Sequence, residues 1–471
     1  MYFIKDHRSL LLLALEMHIA MDLIIRNGLV VTEYGQSEID LAISAGRIAA
    51  VGDFADCFCD APVIDAEGLA ILPGLVDPHV HFREPGPSAE EDFESGSRAA
   101  AAGGVTTVLE QPVDDPPTTS LSRFREKQVI AAQKSYVDYG LWAGLIPENL
   151  DEIIPLYRAG ACAFKAFVCS SDPLYPMIDD GALLEAMRIL SQLRTMVAVH
   201  AESQAIVDYF QRRLAAAERV MPIDHVRSRP EIAELEAIQR CILLASETGV
   251  HLHILHLSTA RGVELVEAAR QRGVQVTLET CPHYLVLDEQ ALQEYGPYAK
   301  CNPPLRNAEN RDRLWQALLD GKIQCVVSDH SPYTLEHKQK GLLDIRLAPP
   351  GINALELGLP LLISTAYHNG KASLVHLANW MSAEPARLFG LYPHKGSIQI
   401  GSDADLVFVD LDQEWTIDPA KLQTKNKWSP FAGWRVRGRV IQTMVRGHII
   451  YQDGEFPMGA GFGKFLNHFV R

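Results

Sequence analysis

Between Leu72 and Phe389 the chain alternates short apolar runs with stretches of helical periodicity. The runs read as buried strands: Val105–Leu109, Val137–Leu145, Ala163–Val168, Met196–Val199, His251–Leu257, Val274–Glu279 and Gln324–Val327. Between them lie helical stretches such as Glu91–Gly103, Ser120–Ala132, Gly181–Leu193, Glu231–Glu247, Thr259–Gln271 and Asn310–Leu319, with two more at Ala354–Tyr367 and Leu374–Phe389. Strands alternating with helices over roughly 300 residues imply a parallel sheet with helical crossovers. About eight such units fit a closed (β/α)₈ barrel better than an open sheet.

The flanks have a different texture. Asp22–Gly28, Ile39–Ile43 and Gly46–Gly52 are short strands punctuated by Asn-Gly and Gly turns. Gly396–Gly401, Ala404–Asp410 and a hairpin of Val440–Val445 with His448–Tyr451 mirror them at the other end. The expected organisation is an extra leader segment at 1–20 and a β-sandwich part at 21–72. A barrel follows at 73–390, and the second sandwich part with a tail at 391–471. Leu10–Leu15 is too short to span a bilayer, and Met17 and Met21 are both candidate starts of the folded part.

The formal net charge of -16 argues against a nucleic-acid partner and against an anionic membrane surface. It leaves room for an anionic small substrate in a local cationic pocket. The eight cysteines are scattered without a paired framework, which fits a reduced, cytoplasmic protein. Cys57 and Cys59 stand close together, but no second thiol pair accompanies them.

The apolar run Ala70–Val76 leads into His79-Val80-His81. Residues i and i+2 of a strand share a face, so two imidazoles leave one strand end side by side, as a metal ion requires. A strand end that merely carries two histidines is the plain alternative. In a barrel of this kind the chemistry collects at the C-terminal strand ends. Those ends carry His79, His81, Lys165, His200, His256 and Asp329. Neutral imidazoles and a carboxylate suit Zn²⁺. Two ions about 3.5–4 Å apart share a water and lower its pKa towards 7. Lys165, between Phe164 and Ala166 on an apolar run, is either a buried amine able to take up CO₂ as a bridging carbamate or a lysine paired with an acid.

These residues, together with His200-Ala201-Glu202, His253-Ile254-Leu255-His256, Thr280-Cys281-Pro282-His283-Tyr284, Asn302-Pro303-Pro304 and Ser328-Asp329-His330-Ser331-Pro332, resemble the cyclic amidohydrolases of the amidohydrolase superfamily: dihydroorotase, allantoinase and hydantoinase. The resemblance runs from about Met21 to the C-terminus. It implies two divalent metal ions, zinc foremost, and opening of a cyclic amide or ureide ring by metal-bound hydroxide. One ion would be held by His79, His81, carboxylated Lys165 and Asp329, and the other by Lys165, His200 and His256. Asp329 would be the catalytic general base and then the acid that protonates the departing ring nitrogen. His253 receives no ligand role. Family members are often dimers or tetramers, so a homo-oligomer is expected. Non-enzymatic relatives of dihydropyrimidinase lose metal ligands, and this chain keeps the whole set. Deaminases on the same barrel usually lack the carboxylated lysine, which makes Lys165 the discriminator.

The choice of ring rests on fewer residues. In dihydroorotases a matching Arg and Asn bind the substrate carboxylate, and Arg83 and Asn302 stand at those positions. The Ala348–Gly351 stretch resembles the dihydroorotase loop whose backbone meets the same carboxylate, and His283 joins the expected substrate contacts. Arg83 also suits a salt bridge to Glu84 or Glu90, and Asn302 a turn before Pro303-Pro304. The Thr280–Leu285 and Ser328–Pro332 motifs, the Gln111–Thr119 stretch and the tail Gly461–Phe465 look more like allantoinase and hydantoinase. Weighting substrate contacts first, the reading is a dihydroorotase-type enzyme on an anionic ring, with allantoinase or hydantoinase as the alternative. Cys169–Pro176 is expected to form a loop over the site.

Overall fold

The computed structural model describes residues 21–54, 60–172 and 175–467. The leader segment at 1–20 and the Cys57/Cys59 pair lie outside the described residues. The architecture is α/β. Strands Leu75–Val80, Val105–Glu110 and Asp138–Leu141 pair in parallel. After a break at Trp142 the third strand resumes as Ala143–Leu145. Phe164–Phe167, Met196–His200, His251–Ile254, Val276–Thr280 and Cys325–Val326 then follow in parallel order. A parallel bridge from Val80 to His330 joins the first strand to the segment after the last, so the eight-stranded row meets its own beginning. Trp142 fills the break and donates its indole N–H to the carbonyl of Pro78 at 3.0 Å.

The crossover helices start where polar caps allow. Asp92, Ser120, Asp179 and Thr259 each accept a backbone N–H of the first turn of the helix they precede. Gly160 and Gly249, in left-handed conformation, end two of them. Ala99, Ala100, Ala101 and Ala102 keep helix Phe93–Ala102 thin enough to lie flat on the strands, and all four are buried. The expected helix at Ala354–Tyr367 is only Gly358–Leu362 with a π turn at Ile363–Tyr367. Helices Gln204–Ala216 and Pro222–Ser228, which the alternation did not reveal, fill the insertion after the fifth strand.

The two ends of the chain meet in shared sheets. Strand Ala70–Pro73 pairs antiparallel with Leu406–Thr416 and parallel with Leu29–Val31. A second sheet holds Arg47–Gly52, Asp40–Ser44, Leu23–Arg26 and Val63–Asp65. Ile25, Leu41, Ile71, Leu406, Phe408 and Met444 form one core between the two sheets. The hairpin of Arg435–Val445 and His448–Gln452 turns on Arg446 and Gly447, both at positive φ, as a two-residue turn of matching twist demands. Gly396–Gly401 is not a strand: its residues meet the sheet only through isolated bonds such as Gly401 N–H to Ile48 O at 2.8 Å. No helix of the described residues is long and apolar enough to cross a membrane.

Candidate metal centre and its surroundings

All six proposed ligands arrive at one end of the strand ring. His79 is the penultimate residue of the first strand, with His81 just beyond it. Lys165 lies within Phe164–Phe167, and His200 ends Met196–His200. His256 and Asp329 follow their strands by two and three residues, where the backbone has left the sheet. Both sit at positive φ, 34° and 45°, and so does Arg83 at 56°. Non-glycine residues seldom adopt this region, and its cost persists only where the surroundings hold it. Here it turns side chains inward that an extended chain would send elsewhere.

Two groups of donor atoms result. His79 Nε2 and His81 Nε2 lie 3.3 and 3.4 Å from Asp329 Oδ1, and Lys165 Nζ is 3.3 Å from His79 Nε2. His200 Nδ1 and His256 Nε2 are 3.0 Å apart. The tautomers follow from the acids behind them. His79 donates its Nδ1–H to Glu279, and His200 donates Nε2–H to Glu202 at 2.9 Å, which leaves His79 Nε2 and His200 Nδ1 as lone pairs facing inward. Burial would raise Glu202, yet Arg229 and His200 hold it down at about 2. Glu279 is likewise held well below the carboxylate range by His79 and His253 against its burial. Burial, then Lys165, pushes His79 down to about 4 and holds His81 well below its ordinary value, and burial lowers His200 against the pull of Glu202. Burial and the neighbouring His200 do the same to His256. Burial also lowers the Lys165 ammonium and raises the Asp329 carboxyl, each opposed by the other's charge. Neutral, oriented imidazoles with an acid and an amine whose charged form is disfavoured fit divalent cations, and His79, His81 and Asp329 form a ligand-spaced cluster.

Sequence reasoning missed Glu279 and did not give Glu202 a role. Glu279 sits inside strand Val276–Thr280 and bonds His79, His253 at 3.1 Å and the backbone N–H of His256 at 3.1 Å. One buried carboxylate thus orients groups from two other strands, the one carrying His79 and the one carrying His253 and leading to His256. Glu279→Gln is expected to lower metal affinity about 10–100-fold, measured by competition with a chelating dye. The same affinity in the variant would show that Glu279 does not orient a ligand.

The residues expected to meet substrate fare differently. Arg83 is buried, but its guanidinium is already committed. Nη2 donates to Ser331 Oγ at 2.8 Å, Nη1 to Asp172 Oδ2 at 3.4 Å, and Nε lies 3.3 Å from Glu90 Oε2. Its plane rests 4.3 Å over Tyr333. Asn302 lines the site and donates to Ser171 Oγ at 2.9 Å. Gly351 lines the same pocket, where a Cβ would fall 2.1 Å from Ser331 O. Its N–H is spent on Lys300 O at 2.8 Å, and its carbonyl accepts from Lys338 Nζ at 2.9 Å. Ala348 faces a second, outer cavity, and its carbonyl accepts from Lys300. His283 is 0% exposed on helix Pro282–Val286 and does not border the inner pocket; it stands behind Asp329 with Cys281. Neither ring nitrogen has a hydrogen-bond partner among the described residues, and one lies within 4.8 Å of an Asp329 carboxylate oxygen.

The inner pocket, about 40 Å³, contains Lys165, His200, His256 and Asp329. An outer cavity of about 820 Å³ lies beyond it. Ser171, Asp172, Asn302, Tyr333 and Pro350 border both, so they form the partition between them. Ser171 and Asp172 belong to the segment that the sequence places as a loop over the site.

The amidohydrolase family model matches residues 70–450. An L-hydantoinase of Paenarthrobacter aurescens is 38% identical over 447 residues, covering 94% of this chain and 98% of its own. An allantoinase of Rubrobacter xylanophilus is 42% identical over 450 residues, covering 95% and 98%. Among solved structures, L-hydantoinase from Arthrobacter aurescens superposes with a TM-score of 0.93 at 38% identity, over 95% of this chain and 100% of that one. The chain belongs to the amidohydrolase family. It is a hydrolase of cyclic amides. The dihydroorotase reading gains no support from these relatives, which favour the allantoinase or hydantoinase alternative.

Proposed function

We propose that this enzyme opens a cyclic ureide of the hydantoin or allantoin type, a ring that itself carries no carboxylate. The observation that carries this reading is the charge balance at Arg83. Its one positive charge already faces Glu90 and Asp172, so a carboxylate on the ring would enter as a third anion. Like charges brought together in a desolvated site cost several kcal/mol. The names of the relatives point the same way.

In this reading the strand ring is a (β/α)₈ barrel spanning 73–390, and the sheets of both termini are one sandwich beside it. His79, His81, Lys165, His200, His256 and Asp329 are the residues that would hold two divalent ions, zinc being favoured by the nitrogen-rich donors, with Lys165 contributing as its carbamate. Such ions supply a Lewis acid and lower the pKa of water. Asp329 Oδ accepts the proton of the attacking water and returns it to the departing ring nitrogen. Asn302 and the Gly351 wall limit how the ring lies over Asp329.

Initial rates with hydantoin, allantoin and dihydroorotate test this. Hydantoin or allantoin is expected to exceed dihydroorotate by roughly 100-fold in kcat/KM, about 2.7 kcal/mol. Preferred turnover of dihydroorotate, lost selectively in Arg83→Met, would overturn the reading.

A further inference from the structure

Lys300 is an unusual cation. It is 6% exposed, and its ammonium donates to two backbone carbonyls, Ile345 O at 2.8 Å and Ala348 O. No carboxylate lies within ion-pair distance of it among the described residues. An ammonium has three donors, so one remains. Lys300 borders the outer cavity, the space beyond the partition that also bounds the inner pocket. Burial and the nearby Arg229 lower its ammonium to about 7, so an anion brought beside the remaining donor would restore a charge that only carbonyls now meet.

The surroundings agree. Arg229 borders the same cavity, and the acid that balances it, Glu202, does not. Arg346 also faces the cavity, while its partner Asp344 lies outside. Four acids face it: Asp172 and Glu90 are occupied by Arg83 and Asp224 by Arg219 and Arg227, which leaves Asp115 against the cations Arg212, Arg229, Lys300, Lys340 and Arg346. In a chain of net charge -16 this cavity is locally cationic. Apolar groups of Leu214, Ile345 and Leu347 line it too, so it suits a short aliphatic arm as well as its charged end.

Resting on the cyclic-ureide reading, we infer that the outer cavity is a subsite for an exocyclic arm ending in a carboxylate, with Lys300 as the residue that selects it. Substrate recognition then divides in two. The ring is neutral at the inner pocket, where Arg83 is already balanced, and the anion sits at the end of the arm. The chemical class is a hydantoin bearing a carboxyalkyl substituent.

The test compares carboxyalkyl hydantoins of increasing arm length with their primary amides on the metal-loaded enzyme. The acid is expected to exceed its isosteric amide by about 10–100-fold in kcat/KM at the best arm length. In Lys300→Met that ratio should fall towards one, and Lys300→Arg should retain much of it. Lys300 also braces the Ile345–Ala348 loop, so the wild-type ratio stands as a test even where a variant folds poorly. Equal rates for acid and amide in the wild type would overturn the subsite and leave the ring reading intact. Failure to open any hydantoin would instead overturn the ring reading beneath it.

Discussion

Replacing Lys165 with alanine is expected to cut ring opening by at least about 10³-fold, some 4 kcal/mol of transition-state stabilisation. The size follows from its position. Lys165 Nζ stands 3.3 Å from His79 Nε2, feels the Asp329 charge, and borders the pocket that also holds His200 and His256, so it lies beside both donor groups. Burial disfavours its ammonium, and the neutral amine is the form that takes up CO₂. Alanine removes the bridge without adding bulk, so the fold should persist, checked by circular dichroism. A short carboxylic acid added to the variant is expected to restore part of the rate by filling the vacated position. Full activity without any such addition would remove the bridging role.

Replacing Lys395 with methionine is expected to destabilise the fold by about 3–5 kcal/mol, the usual penalty for breaking a buried ion pair from one side. Lys395 is 2% exposed and bonds Asp138 Oδ2 at 2.6 Å, Asp405 Oδ2 at 2.8 Å and Asp403 Oδ2 at 3.0 Å. Asp138 begins a strand of the ring, whereas Asp403 and Asp405 precede strand Leu406–Thr416 of the terminal sheets. One ammonium therefore ties the two parts together, and its loss leaves three carboxylates facing one another, with Arg446 on Asp138 and the more exposed Arg47 3.7 Å from Asp403. The pH dependence has a definite sign. Burial would lower Lys395, but Asp405 and Asp138 raise it above its ordinary 10.5, so its stabilisation is complete below that value and is lost only as pH climbs past the folded pKa. Asp138 is depressed below 3.8 by Lys395 and Arg446 against burial, so its contribution is complete above that value and is lost as pH falls through the folded pKa. Urea titrations across pH should show a broad plateau in the wild type. A variant as stable as the wild type would show that these contacts carry no net energy.

The six expected ligands were legible as a group because five stand at or just beyond the ends of apolar runs that periodicity locates, while Lys165 stood out as a lysine inside such a run. Glu279 escaped notice because a carboxylate within a strand looks like any solvent-facing residue until the ring closes and both faces are buried. Arg83 was read through its match to the dihydroorotase arginine, with a salt bridge to Glu84 or Glu90 as the plain alternative, and Glu90 does face it. Asp172, its second acid, comes from the loop after another strand, and only the three-dimensional arrangement brings it within 3.4 Å. That single contact turns the expected carboxylate clamp into a balanced cation. The motif around His283 was visible in sequence, but the fully buried setting that its five-residue helix gives it beside Asp329 was not. The insertion helices Gln204–Ala216 and Pro222–Ser228 carry few buried apolar residues, so their periodicity was weak, yet they supply much of the outer cavity wall.

The most direct test of the account is the number of divalent ions per chain at full activity, measured by elemental analysis of purified protein titrated from the metal-free state. The account predicts that hydantoin or allantoin hydrolysis rises to its plateau at two equivalents, and that Lys165→Ala retains fewer. Full hydrolysis by metal-free protein, or a plateau at one equivalent, would contradict it.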